Sequence, residues 1–262
     1  MIKTLVSIDA DLSSSIALRY TCLLAKTRPV EIQTIHVQEP DSSGPGGMSM
    51  GAGWVRRTYE KEMIDQSKKD ISRLLTAESG FCPVLNQPII VPGDRGQEIL
   101  KELHKGKYDL FVEGAPLHST GKDLAKHVRS HLYQHLEVPA LFVQNLYPLK
   151  HITFMMESDR EASTLFSSVA HLFKGMELEI ELAFITSPGR PSPEESMLNK
   201  MAEDYGWKVG EIYQVPKDLD VWKEKTKDCD LLATRVERHK GHSNLRLEYL
   251  GQMSCPFLFF WK

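Results

Sequence analysis

Apolar residues recur along this chain in two alternating rhythms. Short, almost continuous apolar runs give way to longer stretches in which apolar positions return every three or four residues. The first rhythm predicts buried strands and the second predicts amphipathic helices. In the first half, strands are expected at 4–8, 31–37, 87–91, 109–112 and 140–143. A helix capped by Ser13 or Ser14 places Ile16, Tyr20, Leu23 and Leu24 on one face. A second helix carries Met63, Ile64, Ile71, Leu74 and Leu75 as its apolar stripe, and further helices are read at 97–105 and 122–136. Residues 40–53, rich in Gly, Ser and Met, have no period and read as a loop. The second half repeats the order with strands at 151–156, 178–185, 208–214, 230–233 and 257–261. Its helices are expected at 160–173, 193–204, 218–226 and 244–252.

Strands separated by helices pair in parallel through right-handed crossovers, so each half is expected to be an open, doubly wound α/β sheet. The halves also echo one another in sequence. Tyr108-Asp-Leu-Phe-Val-Glu-Gly114 returns as Cys229-Asp-Leu-Leu-Ala-Thr-Arg235. Each is followed by a proline and an apolar run, Pro139-Ala-Leu-Phe-Val143 and Pro256-Phe-Leu-Phe-Phe260. Lys3-Thr-Leu-Val-Ser-Ile-Asp9 has a counterpart in His151-Ile-Thr-Phe-Met-Met-Glu157. Three matching elements in one order predict a duplicated domain, covering 1–146 and 147–262, with the second copy shorter. The linker at 145–150 is too short to let the copies separate.

Composition narrows the partners. Hydrophobic residues make up 41% and charged residues 26% of the chain, as in soluble globular proteins. With Lys+Arg 32 against Asp+Glu 35, the net charge of -3 supplies no basic field for a phosphate backbone, and nucleic-acid binding is not expected. No apolar run approaches the ~20 residues of a membrane helix. Met1 leads directly into a strand, so no signal peptide and a cytoplasmic location are expected. Cys22, Cys82, Cys229 and Cys255 have no metal-binding spacing and read as reduced, buried thiols.

Ligands of open parallel sheets sit beyond the carboxyl ends of the strands, where strand order reverses. That rule gathers Asp9, Val37 and Gly114 around one crevice. The strand ending in Asp9, Gly93 before a helix, and the Asp-Leu-Phe-Val-Glu-Gly strand together resemble the universal stress proteins, here as a tandem pair. The resemblance extends over nearly the whole chain. It implies two Rossmann-like domains, each a five-stranded parallel sheet of order 3-2-1-4-5 flanked by helices. ATP-binding members of that family carry a glycine, two residues, a second glycine, nine residues, then Gly-Ser or Gly-Thr. By that resemblance Asp9 stands at the nucleotide aspartate, Val37 at the backbone position that contacts adenine, and Gly114 at the first glycine. Leu117 falls on the second glycine and His127-Val128 on the final pair. In the second half Glu157 replaces the aspartate and Arg235 the first glycine.

These departures bear on a phosphate. Glycine tolerates positive φ and lets an anion approach the backbone, which Leu117 and His127 do not. Pro116 removes a donor, and Val128 lacks the hydroxyl. Hydrogen bonds to charged groups contribute on the order of 1.5–3 kcal/mol each. Losing two weakens triphosphate binding by roughly a hundredfold to ten-thousandfold.

Other groupings carry less. Asp9 has two readings, a ligand or metal contact at the strand tip and an acceptor that starts the turn into the next helix. His127, His131 and His135 lie four apart on one expected helix, but no acid or thiol completes the face, so polar surface is expected rather than a metal site. Ser13-Ser14-Ser15 lacks a nucleophile elbow and reads as a helix cap. Arg235, Arg238, His239 and Lys240 read as a solvated charge run, with an anion contact as the other reading.

Two functions follow. One, whose stress-response role is what the resemblance implies, is a non-catalytic module with a degenerate nucleotide site and no assured cofactor, acting through protein partners or self-association. The other is an ATP- or adenine-nucleotide-binding protein using the first crevice, with weak ATP hydrolysis. The resemblance implies that the fifth strands pair across a pseudo-twofold, and because an exposed apolar edge is a liability the same pairing is expected of 139–143 and 256–260, within one chain or between chains.

Overall fold

A computed structural model of the chain describes residues 1–39, 53–82, 85–115, 121–173, 175–185, 194–238 and 245–261. The apolar runs become strands and the amphipathic stretches become helices. The first half runs β1 (Ile2–Ser7), α1 (Leu12–Thr27), β2 (Val30–Gln38), α2 (Gly53–Glu78), β3 (Ile89–Pro92), α3 (Arg95–Gly106), β4 (Leu110–Gly114), α4 (Gly121–Val128), α5 (His131–His135) and β5 (Ala140–Val143). The second runs β6 (His151–Met156), α6 (Asp159–Phe173), β7 (Glu179–Phe184), α7 (Glu195–Glu203), β8 (Lys208–Gln214), α8 (Leu219–Lys225), β9 (Leu231–Val236), α9 (Leu245–Leu250) and β10 (Phe257–Trp261).

All the strands join one ten-stranded sheet in the order β3-β2-β1-β4-β5-β10-β9-β6-β7-β8. Each half therefore has the expected 3-2-1-4-5 order with parallel pairing. The halves meet where β5 and β10 run antiparallel, Phe257 opposite Phe142, Leu258 opposite Leu141 and Phe259 opposite Ala140. The fifth strands thus pair within one chain. Successive side chains of a strand point to opposite faces, so the seam feeds two cores. Leu141, Val143, Leu258 and Phe260 enter one. Ala140, Phe142, Phe257 and Phe259 enter the other, where the Phe142 and Phe259 rings lie 5.8 Å apart.

Polar contacts also cross between the halves. The Arg28 guanidinium, just past α1, donates to the carbonyls of His171 (3.0 Å) and Leu172 in the last turn of α6. Those carbonyls have no partner within the helix, and the dipole there favours a cation. In the linker, Asn145 Nδ2 donates to the Ser254 carbonyl at 2.6 Å.

The outer edges are blunted. Gly93 N–H bonds to the Gln38 carbonyl, so residues 89, 91 and 93 face β2 while 88, 90 and 92 face outward. Two of those outward positions are Pro88 and Pro92, which have no N–H to offer another strand. At the other edge, β8 presents Lys208 and Glu211, and Glu211 is paired with Lys225 at 2.9 Å.

Several expectations change. The single helix at 122–136 is two, broken between Val128 and His131, which separates His127 from His131 and His135. The cap of α1 is Asp11, whose carboxylate accepts from Ser14 N–H at 2.8 Å, and neither Ser13 nor Ser14 fills that role. Ser14 Oγ instead accepts from the Asp9 N–H at 2.7 Å. Cys22 and Cys82 are joined by a disulfide, with Cα atoms 5.4 Å apart, and only Cys229 and Cys255 are free thiols. The packing of α1 against the end of α2 brings together residues 60 apart in sequence, which no spacing rule detects. The disulfide also removes the cysteine argument for a reducing compartment. The Met-rich stretch at 40–52 lies outside the described residues. Among those described, no helix is long and apolar enough to cross a membrane.

The seam can be tested directly. Phe142 is almost fully buried and Tyr147 is 58% exposed. Phe142→Ala is expected to lower the unfolding free energy by about 3–5 kcal/mol, and Tyr147→Ala by less than about 0.5 kcal/mol, in urea denaturation.

Candidate functional site

The carboxyl ends of β1, β2 and β4 define the first crevice, and the sequence places acids and bases there. Asp9 follows β1, and its side chain is 51% exposed. Its Oδ1 lies 3.0 Å from Nδ1 of His36 on β2, and the same nitrogen is 3.0 Å from the Ile8 carbonyl. The hydrogen bond from His36 lowers the Asp9 pKa, against the effect of burial and with help from Arg95. For His36, burial favours the neutral ring, but Asp9 outweighs it and the pKa rises.

Behind this pair lies a buried cluster on Glu113, the penultimate residue of β4. Its side chain is 4% exposed. Arg95, the first residue of α3, reaches back so that Nη2 donates to Glu113 Oε2 at 2.7 Å and to Ser7 Oγ at 2.8 Å. His127 Nε2 lies 2.5 Å from Glu113 Oε1, and the buried Tyr133 hydroxyl donates to the same oxygen. Burial would raise the Glu113 carboxyl, but Arg95 and then His127 and Tyr133 hold it down at about 2. Burial and Glu113 together push Tyr133 upward. A buried carboxylate is tolerable only when paired and hydrogen-bonded, and here both oxygens are engaged.

Glycine has two separate uses at this end of the sheet. Gly93, at φ 148°, opens the turn from β3 into α3, where an added Cβ would come within 2.8 Å of Glu98 Cγ. At Gly114 an added Cβ would lie 2.1 Å from the Ser13 carbonyl oxygen. The first turn of α1 therefore packs directly on Gly114, which accounts for that glycine without a phosphate.

The remaining expected positions diverge. Val37 is buried in the hydrophobic core on the α3 and α5 face. Val128 is equally buried, as an apolar contact of that core. His127, expected on a polar helix face, instead binds Glu113 and packs edge-on against Phe142 at 5.1 Å. Leu117, like His239 and Lys240, lies outside the described residues. Sequence reasoning missed Glu113, Arg95, Tyr133 and His36. The available signal was a single carboxylate inside the apolar run Leu110-Phe-Val-Glu113.

The second crevice is filled differently. Arg246 on α9 is 4% exposed. Its guanidinium makes a two-pronged contact with Glu161, Nη1 to Oε1 at 2.6 Å and Nη2 to Oε2 at 2.9 Å. Nη2 is also 2.9 Å from Glu157 Oε1, and Nη1 donates to the Arg235 carbonyl at 2.6 Å. Glu157 follows β6 as Asp9 follows β1, so the carboxylate at the nucleotide-aspartate position holds an internal arginine.

No reactive set is complete among the described residues. Neither the His36–Asp9 pair nor the His127–Glu113 pair has a serine or cysteine hydrogen-bonded to its imidazole. Among the described residues, no group of three or more His, Cys, Asp or Glu side chains is arranged to hold a metal. A cavity of about 700 Å³ between α2 and the β3 edge, lined by Ser72, Leu75, Thr76, Leu85 and Ile90, includes none of the crevice residues.

Comparison with known proteins identifies the fold. No family model matches the sequence, and no curated protein matches it. Among solved structures, a universal stress protein from Archaeoglobus fulgidus is similar over 99% of this chain and 96% of its own, with 13% identity and a TM-score of 0.67. A universal stress protein assigned as such on provisional grounds from Pseudomonas aeruginosa is similar over 99% of this chain and 92% of its own, with 15% identity and a TM-score of 0.55. A functionally unknown protein from the same organism gives the same coverage and identity with a TM-score of 0.56. The chain has the tandem universal-stress fold.

Because the Glu113 pKa is lowered, its contribution to stability is complete above the unfolded value of about 4.3 and disappears as pH falls through the folded value. Glu113→Gln should be less stable at pH 7 by about 3 kcal/mol, since it leaves the partly covered Arg95 without its counter-charge. The difference should shrink as pH falls from 4.5 towards about 2, in urea denaturation at each pH.

Proposed function

We propose that the chain is a universal-stress-type module of the cellular stress response, non-catalytic, acting through binding and protein contacts rather than through nucleotide turnover. The observation that carries this reading is the occupation of both crevices by the chain's own ions. In the second, Arg246 lies between Glu157 and Glu161, where it neutralises the carboxylate that would face a nucleotide. In the first, the Glu113 cluster ties Arg95 and His127 into the protein, and Gly114 is backed by Ser13. A triphosphate would have to break these charge-assisted bonds before making its own, and such bonds are the stronger class.

One observation favours a second reading, adenine-nucleotide binding confined to the first half. Asp9 is half exposed at the tip of β1 with Arg95 behind it, so an acceptor and a cation both border the crevice there. Calorimetric titration of the whole chain with ATP and Mg²⁺ separates the two. The module reading expects no saturable binding below about 100 μM, a free energy weaker than roughly −5.5 kcal/mol. Saturable binding in that range, abolished by Asp9→Ala and untouched by Arg246→Ala, would establish the second reading in its place.

A further inference from the structure

Far from both crevices, at the opposite ends of the strands, two thiols touch. Cys229 lies two residues before β9 and Cys255 two residues before β10, and these strands are parallel neighbours. The Leu232 N–H donates to the Pro256 carbonyl at 3.0 Å, which fixes the spacing of the two segments. The sulfurs lie 3.7 Å apart, with Cys255 Sγ donating to Cys229 Sγ. Cys229 is 7% exposed and Cys255 2%.

Buried cysteines are usually inert fillers of small volume, and isolated ones carry no further meaning. Here the two are in van der Waals contact on adjacent strands, and the chain's other two cysteines are already bonded to each other. A disulfide requires about 2.05 Å between sulfurs, so side-chain rotation and a closure of under about 2 Å complete the bond. We propose that Cys229 and Cys255 form an oxidisable dithiol site, converted to a second intrachain disulfide by a small hydroperoxide such as hydrogen peroxide.

The hydrogen bond assigns the roles. Cys229 accepts the Cys255 S–H, which stabilises the thiolate on Cys229, and it is the more accessible of the two. Burial pushes the Cys229 thiol upward, but the bond from Cys255 together with hydrogen bonds involving Thr153 and Leu231 outweighs it and the pKa is lowered, while at Cys255 that same bond and then burial raise the pKa. Cys229 sulfur attacks one peroxide oxygen, the O–O bond breaks, and the departing hydroxide takes a proton to become water. Cys255 sulfur then attacks the Cys229 sulfenic acid, the S–S bond forms, and the S–O bond breaks. The leaving hydroxide takes the Cys255 proton. Two thiols and one hydrogen peroxide become one disulfide and two waters. The new bond joins the amino ends of β9 and β10 beside the strand that makes the seam.

The test treats the purified whole chain with hydrogen peroxide, alkylates free thiols in denaturant, and maps the peptides without reduction by tandem mass spectrometry. The expected result is loss of both alkylatable thiols, a Cys229–Cys255 peptide pair, and full recovery with dithiothreitol. In Cys255→Ser, Cys229 should instead be trapped by dimedone as the sulfenic acid. Full alkylation of both thiols after peroxide would overturn the proposal. So would a link that forms only when the chain is denatured before oxidation.

Discussion

The β5–β10 pairing is the constraint on which the rest of the molecule depends. Each half, built alone, would end in a short, wholly buried strand with its backbone groups and large apolar side chains facing water. Joining these strands satisfies both edges at once and merges four apolar layers into two continuous cores. The aromatic set at the junction shows how closely the halves depend on each other. Phe142 touches Phe259 from the second half and His127 from the first, so the seam and the first crevice share a wall. Arg28 adds a further attachment between the halves, at the end of α6.

The two crevices solve one electrostatic problem in opposite ways. A parallel sheet directs strand ends and helix starts at a common point, and that point must receive either a ligand or internal charge. In the first half a carboxylate on the strand, Glu113, is surrounded by Arg95, His127 and Tyr133. In the second half a cation on the last helix, Arg246, is surrounded by Glu157 and Glu161. The central charge of each cluster, Glu113 or Arg246, is almost fully buried and internally paired, which is the only arrangement in which such charges are tolerated away from water.

The fold was legible in the sequence because it rests on periodicity and repetition, and both are local or pairwise properties of the chain. The strand order and the pairing of 139–143 with 256–260 followed from the resemblance, the pairing with support from the cost of leaving apolar edges bare. The site was much less legible. Glu113 was visible only as one charge in an apolar run, and its partners come from residues 95, 127 and 133, which no spacing rule links. His127 was placed on a solvated face because one long helix was expected. The break after Val128 turns it inward. The α1 cap falls on Asp11 rather than on Ser13 or Ser14, because a carboxylate two positions ahead of Ser13 reaches the Ser14 N–H as a stronger acceptor. The Cys22–Cys82 bond depends on how two helices pack, which periodicity does not encode.

An axis that relates two parts of one polypeptide differs from an axis between identical subunits. In a symmetric dimer every substitution is made twice, so a new arginine on one side meets its own copy on the other. Here the first crevice takes its arginine from α3, as Arg95, and the second takes it from α9, as Arg246, while across the seam Phe257 stands opposite Phe142 and Phe259 opposite Ala140. Covalent fusion released the halves from self-complementarity, and each could drift towards its own chemistry while the common sheet held them in register.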